Sequence, residues 1–131
     1  MEKLKRILIG GKTYPFRIDL NVLEEIQEEY GSINQFERDL LGLHFRKDDE
    51  GKQVYTEEGE PAMFWTEPSI RAIKTVLPVA VNEGLAIQAD QENRVFEPVE
   101  AEFIFRSCTI PYDQLSRMLH EEFRRCFETK K

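Results

Sequence analysis

Gly11, Lys12 and Thr13 follow a run of Ile and Leu in the stretch ILIGGKTYPFRID, Ile7 to Asp19, the order of residues with which a phosphate-binding loop would end. Such a loop needs Gly, four residues, then Gly-Lys-Ser/Thr, because bare backbone must close around the phosphates and a helix must open behind them. With these three residues in the last places, the first glycine would fall at Arg6, whose long side chain stands where the loop needs open backbone. Tyr14, Pro15 and Phe16 do not open a helix either, since Pro15 biases Tyr14 toward extended backbone. The stretch reads instead as a β-hairpin with Gly10-Gly11 as a two-residue turn. Pro15 has no N–H to give a ladder, so the second strand is expected to be an edge there.

Other residues capable of chemistry fail their spacing tests. The acidic turns in KDDEGKQVYTEEGE suggest a calcium loop, but Gly51 as the obligatory glycine puts Arg46 at the first ligand position, and Gly59 puts Val54 there. His44, His120, Cys108 and Cys126 are the soft metal ligands, and none sits in a C-x-x-C or H-x-x-x-H spacing. His120 reads as a surface or half-buried helix residue and the cysteines as core fillers. No serine lies in a G-x-S-x-G elbow, and Ser32 and Ser69 are explained by helix starts. The carboxylates of Glu24, Glu25, Glu28 and Glu29 form a solvated helix face. No catalytic, cofactor or metal residues are assigned, and the chain is not expected to be an enzyme.

These residues belong to a chain of 131, one ordinary domain able to bury about two thirds of its unfolded surface. With 40% hydrophobic residues it has material for a core, and 33% charged residues give it a polar surface. A net charge of -7 argues against a nucleic-acid backbone as partner, since that affinity comes from clustered Lys and Arg. Only the ends are basic, at Lys3, Lys5 and Arg6 and at Arg124, Arg125, Lys130 and Lys131. No membrane-spanning run and no signal peptide is evident, and with only Cys108 and Cys126 the chain is expected to be cytosolic.

The expected fold is α+β, mainly α: an N-terminal β-hairpin over 1–19, then about five helices, with a charged hairpin or loop inserted between the second and third. Asp19 caps the first helix, where Leu20, Leu23, Ile26, Gln27 and Tyr30 fall at helical spacing and Gly31 ends it. Ser32 caps the second, with Gln35 completing a capping box and Ile33, Phe36, Leu40 and Leu41 inside; Gly42 closes it. Residues 43–66 change character, with turns at Asp49-Glu50-Gly51 and Glu58-Gly59 around a short QVYT strand, and are expected to project from the core. Met63, Phe64 and Trp65 are expected to return the chain to apolar packing. Over 67–127, Glu67-Pro68 starts a third helix that Pro78 kinks and Gly84 stops, before a polar turn, QADQEN. Glu97-Pro98 opens a fourth to about Cys108, and Pro111 a fifth with Leu115, Met118, Leu119, Phe123, Cys126 and Phe127 buried.

Phe45, Tyr55, Phe64 and Trp65 punctuate the acidic insertion, and two placements are open for them. They tuck back onto the core, or they present a docking surface of aromatic anchors among charges. On the second placement the candidate contacts are these four aromatics and the exposed side of the first two helices, represented by Glu24 and Glu28.

In this order the elements resemble a family. GKTYPFRIDLNVLEEIQEEYGSINQF, through Gly11, Tyr14, Phe16, Arg17, Asp19, Leu23, Ile26, Tyr30 and Gly31, resembles the start of the small tail assembly chaperones of siphophages and prophages of Gram-positive bacteria, themselves similar to a tail-associated protein of gene transfer agents. IRAIKTVLPVAVNEGL and the helix from Tyr112 to Phe127 agree in position; Leu43 to Trp65 has no counterpart. The resemblance implies a non-enzymatic protein that binds the helical tape measure protein during assembly, keeps its apolar segments apart, helps recruit tail tube subunits, and is absent from the mature virion. It implies the bacterial cytoplasm, protein partners and no nucleic acid or membrane. Pairing between copies at the Pro15 edge or the apolar helices is a further possibility. The alternatives are a structural tube or completion protein of the tail, or a cytosolic regulatory adaptor unrelated to phage.

Overall fold

The structure is a computed structural model and describes residues 3–128; Lys130 and Lys131 of the basic C-terminal end lie outside the described residues. The chain runs β1 (Lys5–Ile9), β2 (Lys12–Phe16), α1 (Leu20–Tyr30), α2 (Ile33–Leu41), β3 (Leu43–Phe45), β4 (Met63–Trp65), α3 (Ile70–Gln91), α4 (Ala101–Ser107) and α5 (Tyr112–Arg125). It is α+β and mainly α, with two separate two-stranded antiparallel sheets.

Ile9 stands opposite Lys12, so Gly10-Gly11 closes the first hairpin as a two-residue turn with φ of +59° and +79°. The Walker-like residues Lys12 and Thr13 are thus the start of a strand. Counting from that turn, Pro15 opposes Arg6 at a position that makes no ladder bond, and its backbone faces away from β1. The expected edge exists, but α3 covers it. Arg17 N–H donates to the carbonyl of Ala80 at 3.0 Å, and a Cβ on Gly84 would lie 2.6 Å from the Pro15 carbonyl. Gly84 is therefore the crossing point of helix and strand and does not stop α3, which runs on through the QAD of the expected polar turn to Gln91.

Several helix starts differ from expectation for local reasons. Ser69, whose hydroxyl accepts from the Ala72 N–H at 3.2 Å, caps α3, and Glu67-Pro68 precedes it. Pro78 is buried inside that helix and leaves the Lys74 carbonyl without its usual donor. Glu97-Pro98 opens no helix: residues 94–100 have no regular secondary structure. The Asn82 side chain holds this segment, accepting from Val99 N–H at 2.7 Å and donating to Val99 C=O at 3.0 Å. The capping box at Ser32 is half closed. Its hydroxyl accepts from Gln35 N–H, but the Gln35 amide donates to Asp39 instead of reaching back.

The core joins both strands of the first hairpin to all five helices, with Phe16, Ile18, Ile26, Phe36, Leu77, Ile104 and Phe123 among its buried members. On α1 the inward stripe is Val22, Leu23 and Ile26, whereas Leu20 and Gln27 are exposed. α3 is buried on most sides through Ala72, Val76, Ala80 and Val81, which makes it the central helix, although Ile70 at its start is exposed. The apolar stripe of α5 is buried at Leu115, Leu119 and Phe123; Phe127 lies beyond the helix and is half exposed.

Arg17, Ile18 and Asp19, between β2 and α1, belong to neither ladder nor helix, so their backbone groups need partners from elsewhere. Ile18 N–H donates to Glu122 Oε2 at 2.8 Å, and Ile18 C=O accepts from Arg125 Nη2 at 2.8 Å. Arg125 also donates to both Glu122 oxygens, at 2.8 and 2.9 Å. Glu122 is buried to 1% exposure, and this fork neutralises it while tying α5 to the start of α1.

Candidate partner-binding surfaces

β3 and β4 pair with Leu43 opposite Trp65, His44 opposite Phe64 and Phe45 opposite Met63. Opposed residues share a face, so Phe45, Met63 and Trp65 lie on one side and His44 and Phe64 on the other. Beyond this ladder the chain folds twice more, in turns at 48–51 and 56–59, and comes back through single bridges at Lys47–Gln53 and Tyr55–Pro61. The QVYT stretch contributes only to these bridges and is not a regular strand. Three segments meet in a closed ring: Arg46 N–H donates to Ala62 C=O at 2.8 Å, Ala62 N–H to Val54 C=O at 2.8 Å, and Val54 N–H to Arg46 C=O at 3.0 Å. The Gln53 amide sits over the ring and donates to the carbonyls of Val54 and Arg46, at 2.8 and 3.1 Å.

This hairpin projects from the core, and no residue of 43–66 belongs to the core cluster. Met63, Phe64 and Trp65 do not return to apolar packing: all three stay exposed and none belongs to the core cluster. Trp65 is 67% exposed and Tyr55 62%, and Phe45 and Phe64 are each more than a third exposed. Arg38 lies over the Phe45 ring at 4.8 Å, and His44 stacks on Phe64 at 5.2 Å while its Nε2 meets Thr66 Oγ1 at 2.7 Å. The aromatics do not tuck back onto the core: all four are exposed and none belongs to the core cluster. The structure gathers Phe45, Phe64 and Trp65 on one short sheet and holds Tyr55 farther out on the same projection.

A second surface runs along α3 between α1 and the 96–105 segment. Two adjoining hollows of 480 and 650 Å³ share Glu25, Pro78 and Val79. α3 makes the floor with Pro78, Val79 and Ala86, α1 makes an acidic wall with Glu24, Glu25 and Glu29, and Phe96, Ala101 and Phe105 make an apolar wall opposite. At one end Arg71 covers the Tyr30 ring at 4.5 Å and Lys74 covers Phe105 at 4.7 Å. Of the two candidate glutamates on α1, Glu24 lines the groove and Glu28 is exposed and does not line it. Glu25 and Glu29 were not singled out. They stand three residues after the buried Val22 and Ile26, which puts them at the rim of the inward stripe, and that spacing was the available signal.

Electrostatics mark the groove's margins. The Glu83 carboxyl is raised above the ordinary glutamate value, first by its hydrogen bond with the Asp19 carboxyl and then by burial; Asn21 Nδ2 donates to it at 2.9 Å. Tyr30 is pushed up to about 12 by burial and by its hydrogen bond to Asp39. Burial also raises the Cys126 thiol, whose Sγ donates to Ile18 C=O at 3.2 Å. Both cysteines pack at the core's edge, and His120 is half-buried against Glu37, with Nε2 to Oε2 at 2.8 Å.

Among the described residues, no three His, Cys, Asp or Glu side chains gather so as to hold a metal ion, and no helix is long and apolar enough to cross a membrane. No protein-family model, curated protein or solved structure matches the chain.

Proposed function

We propose that the protein is a non-enzymatic tail assembly chaperone of the siphophage and prophage kind. It works in the cytoplasm of the bacterial host, binds the tape measure protein while the tail is built, helps bring tail tube subunits to it, and leaves before the particle is finished. The observation that carries the binding role is the projecting hairpin, a segment without counterpart in that family, which holds Phe45, Tyr55, Phe64 and Trp65 in water and outside the core. A fold that leaves large aromatics on a charged projection bears their exposure for a partner, and aromatic anchors ringed by charge are the usual binding hot spots. The resemblance in the FRID junction and the acidic helix after it supplies the identity of that partner.

The test is to seek a long helical, repeat-rich chain among the neighbouring reading frames and co-express it with this protein, followed by affinity capture. The native protein should retain that chain in solution, and a Tyr55→Ala/Trp65→Ala variant should lose about 2 kcal/mol of binding per anchor while keeping its fold. Undiminished capture by the variant removes the hairpin from the contact. Finding the protein in stoichiometric amount in purified particles replaces the chaperone with a structural tail component.

A further inference from the structure

We infer that the groove along α3 takes a basic amphipathic helix. Its two walls differ in chemistry: Glu24, Glu25 and Glu29 on α1, and Phe96 and Phe105 opposite. A ligand lying between them must be charged along one edge and apolar along the other, with its apolar side also meeting Val79 on the floor. The sign of the charged edge follows from α1, which has four glutamates and no basic residue. Among the described residues none of these glutamates has an ion-pair partner. Glu24 with Glu28, and Glu25 with Glu29, are like charges one turn apart, an arrangement that weakens the helix unless something neutralises it. Lysines or arginines spaced along a docked helix do so.

Length agrees with a helix as well. The lining runs from Arg71 to Ala86, a rise of about 22 Å, which is about four helical turns. The α3 side of the groove is apolar at Pro78, Val79 and Ala86, with Glu83 toward one end and Arg71 and Lys74, each held over an aromatic ring, at the other; helices are taken into such grooves with the apolar area giving affinity and the charges giving register and association rate. The groove shares no lining residue with the projecting hairpin, so the two surfaces can be occupied together.

The experiment titrates a synthetic four-turn peptide, leucine on one face and lysine on the other, into the isotopically labelled full chain. Saturable binding is expected, with amide shifts on α1, at Val79 and Ala86 and around Phe105. Affinity should fall at least about tenfold in Glu24→Lys/Glu25→Lys, and fall further with added salt for the native protein. Ala86→Trp, which fills the hollow without changing any charge, should weaken the same peptide and so reads the groove independently of charge. Circular dichroism of each variant secures the fold. The inference is overturned by absence of saturable binding, by equal affinity for a peptide with glutamate in place of lysine, or by shifts on the hairpin alone. Concentration-dependent self-association that perturbs the same residues would overturn it in favour of a second copy. Failure of the peptide leaves the client-capture result standing, because that experiment reads the hairpin.

Discussion

At the scale of single residues, the side chains with altered chemistry sit where elements meet. Glu83 on α3 faces Asp19, the N-cap of α1, and the carboxyls share a hydrogen bond that raises Glu83 above the ordinary glutamate value. In the unfolded chain Glu83 titrates normally, so the fold holds its proton to higher pH. This group therefore stabilises the protein fully below the ordinary value and loses that contribution as pH rises through the raised one. Glu83→Gln keeps a donor for Asp19 and an acceptor for Asn21 without the negative charge. It should melt above the native protein at neutral pH, with the difference closing as pH falls below the ordinary glutamate range. Calorimetric melting across that pH span checks it, and a gap that persists in acid would show that the gain is not electrostatic. None of this was legible in the sequence, where Glu83 is one more glutamate on a helix. Glu122 was hidden for the same reason: its partner Ile18 lies at the other end of the chain, and no local pattern marks a helix carboxylate that completes a distant backbone.

At the scale of elements, the strongest misreading concerns Gly84. A glycine after a periodic apolar run signals a helix end, and the polar residues behind it agree. The helix continues because the glycine answers a tertiary need: its missing Cβ admits the backbone of β2, with Pro15 carbonyl atoms at 2.6 Å and Phe16 Cα at 2.8 Å from where a Cβ would stand. The two roles predict opposite signs for one substitution. In an exposed helix interior Gly→Ala stabilises by about 1 kcal/mol. Here Gly84→Ala pushes α3 off the hairpin backbone and should destabilise by about 3 kcal/mol or more, since the obstructing atoms are main chain and cannot rotate away. Chemical denaturation measures it. A stabilised variant would mean that strand and helix separate without consequence. By contrast, the first hairpin, the caps at Asp19 and Ser32 and the stripe of α5 were legible, because turn glycines, capping side chains and 3.6-residue periodicity act within a few residues of each other.

At the scale of the whole molecule, the chain divides into a body that holds the core and a projection that contributes no residue to it. The boundaries of the 43–66 insertion were legible from its charge and turn residues; the fate of its aromatics was not, because exposure depends on whether a core surface lies within reach. The body's core closes without any residue of 43–66, while the projection satisfies its own backbone through the ring of Arg46, Val54 and Ala62 and through Gln53. Replacing residues 47–61 by Asn-Gly leaves Arg46 and Ala62 as the bonded pair flanking a two-residue turn, which suits the right-handed twist of β3 and β4. A shorter loop costs less entropy to close, and no buried residue is removed, so the melting temperature should stay within a few degrees of native, corresponding to about 0.5 kcal/mol. Differential scanning calorimetry of the shortened chain reads this directly. A large loss of stability would place the hairpin inside the cooperative unit and leave its aromatics with a folding role. Retained stability would leave them exposed for another reason, and since Phe45, Phe64 and Trp65 remain while Tyr55 is gone, client capture by the shortened chain then separates the contribution of the sheet's aromatics from that of the outer turns.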